Sequence, residues 1–145
     1  MSAREMYEAV ISRADEQDVM IMSAAVADYR PKTIADNKIK KMDGDSSIPL
    51  ERTDDILATV GANHRPDQFI CGFSMETENM LENSRKKLKK KNIDMIVANN
   101  LRDAGAGFGV DTNVVTLIRE DWEEALPQMS KEDVAIHILD RIIGK

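Results

Sequence analysis

The chain has 145 residues, 42% apolar and 32% charged, with a formal net charge of -6. That is the make-up of one domain with a packed core, not of a disordered or fibrous chain. No apolar run approaches the ~20 residues that cross a bilayer, so no membrane span is expected, and the acidic balance argues against nucleic acid as the main partner.

Ser2-Ala-Arg-Glu5 is a capping box and opens a helix over residues 2–14, with Met6, Ala9, Val10 and Ile11 on one face. Residues 19–26 are nearly all apolar and predict a parallel strand buried on both faces. Pro31 biases Arg30 away from helix. Residues 38–52 are charged and partly alternating, with Asp43-Gly44 as a turn signal, and read as an exposed hairpin arm. Thr53 is the expected cap of a short helix that turns Ile56, Leu57 and Val60 inward.

Residues 69–73 predict a second buried strand, and its Cys71 is a small core hydrophobe. As the only cysteine it has no internal disulfide partner, which suits a reducing cytoplasm. Residues 78–91 predict a helix with Leu81, Ser84 and Leu88 inward, and residues 94–98 a third strand before the glycine-rich Gly105-Ala-Gly-Phe-Gly109. Residues 113–118 predict a fourth strand. Ser130 and Asp133 open a last helix with Val134, Ile138, Leu139 and Ile142 on one face. This alternation implies a single α/β domain over 1–145, Rossmann-like in three α/β/α layers, with a mostly parallel sheet. In such sheets ligands bind beyond the carboxyl ends of the strands, where Asp28, Phe73, Glu76 and Asn99 converge.

Eight of the twenty basic residues fall in two clusters, Lys38-Ile-Lys40-Lys41 and Lys86-Lys87-Leu-Lys89-Lys90-Lys91. Like charges that dense repel one another, and a triphosphate would relieve them. Lys87 and Lys91, at i and i+4, share a helix face and can flank the strand-end crevice. Lys86, Lys89 and Lys90 read as a solvated face. The helix start at Thr53-Asp54-Asp55 offers backbone N–H groups to a phosphate, although its carboxylates oppose one unless a cation intervenes. Phe73 at a strand end could stack on a base or be an ordinary core residue, and Asp28 could hold a ribose hydroxyl or a metal, or form a turn. His64 and His137 lack ligand spacing, and no protein-held metal site is expected.

Four ordered motifs carry a resemblance: Ala24-Ala-Val-Ala-Asp28-Tyr29-Arg30-Pro31, Lys38-Ile-Lys40-Lys41, Gly72-Phe73-Ser-Met-Glu76-Thr77 and Lys91-Asn92-Ile-Asp94-Met-Ile-Val-Ala-Asn99. From about residue 3 to its end the chain resembles the phosphopantothenate–cysteine ligase (phosphopantothenoylcysteine synthetase) family. That domain is usually the C-terminal half of the bacterial bifunctional coenzyme A biosynthesis flavoprotein. The resemblance implies a cytoplasmic homodimer that uses CTP with Mg²⁺. It joins 4′-phosphopantothenate to cysteine through an acyl-cytidylate, releasing pyrophosphate and then CMP. Carried over by position, Met22, Ser23, Ala24 and Asp28 would surround the base and ribose. Lys38 would be the active-site lysine, Asp54, Asp55, Ile56 and Leu57 the helix-start segment, Phe73 the base contact, and Lys87 and Lys91 the phosphate clamps. The arm over 38–52 would be the dimerisation element.

Some positions depart from the family pattern. Asp54 stands where proline is common, Ser74-Met75 where Ala-Ala is common, and Asn100 where aspartate is usual. Family members also begin this domain with a first strand, a glycine-containing loop and an Asn-x-x-Ser-Ser-Gly-type segment that helps bind phosphopantothenate. The chain therefore reads as a fragment lacking that N-terminal strand, and FMN belongs only to a decarboxylase half that is absent. Two other classes compete with the ligase. A nicotinamide-dependent oxidoreductase is disfavoured because no G-x-G-x-x-G is present. A non-catalytic polyanion-binding or dimerisation module would leave the lysines to solvent.

Overall fold

The computed structural model describes residues 2–33, 35, 37–38, 47–76, 78–100 and 111–144. The expected turn at Asp43-Gly44 and the glycine-rich segment 105–109 lie outside the described residues. The elements, in order, are α1 (Ala3–Ile11), a 3-10 turn (Ala14–Glu16), β1 (Val19–Met22), β2 (Tyr29–Pro31), β3 (Leu50–Arg52), α2 (Ile56–Ala62), β4 (Phe69–Glu76), α3 (Met80–Lys91), β5 (Met95–Asn100), β6 (Thr112–Asn113), β7 (Val115–Ile118), β8 (Glu123–Ala125), β9 (Met129–Ser130) and α4 (Lys131–Ile142).

The main sheet runs β1-β4-β5-β7-β8. The pairs β1-β4 and β4-β5 are parallel, and β5-β7 and β7-β8 are antiparallel. Helices cover both faces, as the three-layer reading requires. Alternation along β4 and β5 divides the core. Ile70 and Ile96 meet Ile56, Val60 and Leu88 on one side. Cys71, Met95 and Val97 meet Leu117, Val134 and Ile138 on the other. Burial pushes the Cys71 thiol up to about 12, with Asp94 adding to the shift, so the residue is the inert hydrophobe expected. Small ladders join β2 to β3 and β6 to β9.

Both arms of the capping box at Ser2 and Glu5 are formed, and Ser130 caps α4 through the Asp133 amide. Several expectations are corrected. β1 ends at Met22 and lies at the sheet edge, with Val19 43% and Ile21 37% exposed, so it is not buried on both faces. Asp55, not Thr53, caps α2 by accepting the Ala58 amide, because the Thr53 hydroxyl donates to the Ala27 carbonyl instead. Leu81 and Leu139 are exposed rather than inward. The strand expected over 113–118 is split at Val114, whose amide donates to the Asn113 side chain. The arm expected over 38–52 is rooted further out, where Tyr29 pairs with Arg52 and Pro31 with Leu50. An Arg30–Glu51 ion pair at 2.7 Å fixes that root.

Candidate functional site

Gly61 decides how the two helices that carry the site meet. A Cβ there would lie 1.8 Å from the Lys91 carbonyl oxygen and 2.9 Å from that of Asn92, so only glycine lets α2 sit this close to the end of α3. Asn92, in the left-handed region at φ 51, closes α3 and donates from its side chain to the Gly61 carbonyl at 2.8 Å. The clamp brings Lys91 to the start of α2, where its Nζ lies 3.0 Å from Asp55 Oδ1. Burial pushes the Asp55 carboxyl up. The Ala58 amide, the Lys91 hydrogen bond and the charges of Lys91 and Lys90 outweigh it, and the net position is below the ordinary aspartate value.

A cleft of about 230 Å³ opens beside this pair at the carboxyl end of β1. Nine of the twelve residues assigned to the nucleotide line it: Met22, Ala24, Asp28, Asp54, Asp55, Ile56, Leu57, Phe73 and Lys91. They come from four chain segments, joined because β1 and β4 are adjacent and α2 and α3 are clamped. Phe73 lies three residues before the end of β4, half-buried rather than at the strand tip. It also borders a second cavity of about 580 Å³ that Ser23 lines. Lys38 and Lys87 line neither space. Lys38 is exposed on the arm. Lys87 Nζ lies 2.6 Å from Oε1 of Glu76, whose side chain is 12% exposed.

Lys91 and Lys87 are thus each held on a carboxylate, a pairing that an anion's oxygens could replace. Asp28 and Asp54 form no ion pair among the described residues. Their carboxylates are hard oxygen donors of the kind that a divalent cation accepts. No group of three metal-ligating side chains occurs among the described residues. His64 instead hydrogen-bonds the Gln68 carbonyl at 2.7 Å and faces Asp94 at 3.4 Å, a structural role at the opposite end of the sheet.

Two strand-end residues, Glu76 and Asn99, fall outside the residues carried over to the nucleotide. Glu76 orients Lys87, and Asn99 Oδ1 is buried without a hydrogen-bond partner among the described residues. Their place at strand ends was the signal available for finding them.

A sequence profile for the DNA/pantothenate metabolism flavoprotein C-terminal domain matches residues 1–145. The chain belongs to this family. Among curated relatives of this flavoprotein-domain chain, the coenzyme A biosynthesis bifunctional protein CoaBC of Bacillus subtilis (strain 168) is 48% identical over 142 residues, covering 97% of the chain and 35% of the relative. A protein named cysteine/cysteine sulfinic acid decarboxylase, from an unknown prokaryotic organism, is 42% identical over 98% of the chain and 40% of its own length. The solved C-terminal domain of a coenzyme A biosynthesis bifunctional protein CoaBC matches with a TM-score of 0.75 at 44% identity, over 97% of this chain and 63% of that one. The chain thus spans a little over a third of the length of these curated relatives.

Proposed function

We propose that the chain carries the nucleotide-handling part of a phosphopantothenate–cysteine ligase of coenzyme A biosynthesis, with CTP as the activating nucleotide. The supporting observation is the meeting, in one strand-end cleft, of nine residues assigned to the nucleotide. Family membership and the 48% identical relative point the same way.

In this reading the 4′-phosphopantothenate carboxylate attacks the α-phosphate of CTP, and pyrophosphate leaves. Two anions must approach, so cationic side chains aimed at the developing charge lower the barrier. Lys91 and Lys87 leave Asp55 and Glu76 for the β and γ phosphates. Lys38 acts on the reacting phosphate, Phe73 contacts the base side, and the chain from Met22 to Asp28 surrounds base and ribose. Mg²⁺, held by Asp28 or Asp54 with the phosphates, supplies charge neutralisation when bound. Cysteine then attacks the acyl carbon, and CMP leaves. The enzyme works as a cytoplasmic homodimer joined through the arm, which sets Lys38 against the nucleotide.

Titration with CTP, UTP, ATP, NAD, pyrophosphate and heparin in the presence of Mg²⁺ tests the reading. CTP binding at least ~10-fold tighter than ATP, about 1.4 kcal/mol, is expected. Tight NAD binding favours an oxidoreductase, and equal binding of CTP, pyrophosphate and heparin favours a polyanion-binding module. Pyrophosphate release also separates the ligase from the decarboxylation named in one relative, which releases carbon dioxide.

A further inference from the structure

Lys86 pairs with Glu82 on its own helix, with both side chains largely in solvent. Its neighbour Lys87 reaches off the helix instead, to Glu76, the last residue of β4. The Glu76 carboxylate is nearly buried, at 12% exposed, whereas the Lys87 side chain is 44% exposed. The carboxylate is also the fixed member of the pair. Its residue lies in register with Asn100 on β5, and its Oε2 accepts the Asn83 side chain at 3.4 Å. Between the same strand and helix, Ser74 Oγ and Ser84 Oγ meet at 3.0 Å, and both residues are buried. β4 and α3 therefore form one frame, and the four-carbon stem of the lysine is the part free to swing. Asp55, the partner of Lys91, has a second task as the cap of α2. Glu76 has no such task, since α3 starts at Asn79 without a side-chain cap. One helical turn, ~5.4 Å, separates Lys87 from Lys91 on the same helix face, and Lys91 lines the nucleotide cleft.

We propose that Glu76 is a positioning residue that competes with phosphate for Lys87: it holds the ammonium while the site is empty and takes it back as pyrophosphate leaves. This rests on the ligase reading and deepens it. Every contact that Lys87 makes to a phosphate first breaks a short charge-assisted hydrogen bond. It also leaves a nearly buried carboxylate without its cation, which is costly in free energy. That cost is subtracted from the affinity for any phosphate ligand that draws on Lys87. It falls hardest on pyrophosphate, which has no base or ribose to contact the rest of the cleft. CTP keeps those contacts and so stays bound while the lysine changes partner. The lysine remains free to meet charge that develops during reaction, and the product is not held by it afterwards. No covalent bond is made or broken at Glu76.

The test uses a complete ligase domain carrying this sequence, titrated calorimetrically with pyrophosphate in the presence of Mg²⁺. Glu76→Gln keeps the shape of the side chain and removes its charge. It is expected to tighten pyrophosphate binding about fivefold, the scale of a partly exposed ion pair. Product inhibition by pyrophosphate should strengthen by the same factor. In a Lys87→Ala background the same substitution should change the affinity by less than about twofold, because the contested lysine is gone. A carboxylate that only repels anions would tighten binding equally in both backgrounds. One that only braces the fold would weaken it. Either result, or an unchanged affinity, overturns the proposal. Glu76→Asp keeps the charge but draws it back by one methylene, and it should tighten binding in the same direction. That variant decides the matter if Glu76→Gln does not fold. A folded wild-type domain that releases no pyrophosphate from CTP and 4′-phosphopantothenate overturns the ligase reading itself, while the titrations still report on Glu76.

Discussion

At the scale of single residues, charge partners set the chemistry of the cleft. Lys38 has no such partner among the described residues, and its proposed task is confined to the reacting phosphate. Lys38→Ala in a complete domain should therefore leave the thermal midpoint unchanged, since exposed lysines contribute little to stability. It should slow pyrophosphate release by about 10²-fold or more. Release within twofold of wild type contradicts that role. Asp55 makes a prediction of the opposite kind, in stability rather than rate. Its carboxyl titrates below the ordinary value in the folded chain. Its contribution is therefore complete above the unfolded value, above pH ~5, and is lost as pH falls through the lower folded value. Asp55→Asn keeps the side-chain oxygen that caps α2 but removes the charge facing Lys91. Thermal melts at successive pH values should show a variant whose midpoint falls less than that of wild type below pH ~4. Parallel curves would show that the pair with Lys91 carries no stability.

Among the elements, the contact between α2 and the end of α3 links fold to site. Gly61→Ala forces backbone against a new methyl group. It should cost about 1–3 kcal/mol and lower Tm by several degrees. It should also weaken nucleotide binding, because Lys91 moves with the displaced carbonyl. Calorimetry paired with a nucleotide titration separates the two effects, and an unchanged Tm would deny the close approach. Elements were legible in the sequence where one pattern ruled them. The Ser2 and Ser130 caps, the inward faces of α2 and α4 around Val60 and Val134, and the buried strands β4 and β5 all stand where their spacing put them. The cap at Asp55 was misplaced by two residues because Thr53 is as good a cap former by type. Only the Ala27 carbonyl, supplied by tertiary structure, draws the Thr53 hydroxyl away.

For the whole molecule, sequence alone could not place strands in the sheet. Residues 19–26 read as doubly buried because an apolar run does not reveal whether a neighbour lies on each side. The described sheet puts β1 at an edge. The antiparallel half was equally hidden, since β8 and β9 are three and two residues long, too short for any periodicity. Strand ends and helix starts are local features that a parallel βα arrangement gathers on one edge. Nine of the assigned residues do share one cleft, whereas Lys87, which spacing put beside Lys91, lines no part of it. Assembly is the remaining question at this scale. Ile48 is 68% and Leu50 58% exposed at the base of the arm, and pairing with a second arm would cover both. Light scattering on the double variant Ile48→Asp, Leu50→Asp should show a weakened dimer, and unchanged association would exclude the arm as the interface.

The central claim is that a carboxylate is activated on CTP in this cleft before cysteine takes part. Mass spectrometry of a complete domain incubated with CTP, Mg²⁺ and 4′-phosphopantothenate, with cysteine withheld, addresses it directly. The predicted result is an acyl-cytidylate formed with matching pyrophosphate and consumed when cysteine is added. A folded domain that yields neither the intermediate nor pyrophosphate contradicts the account.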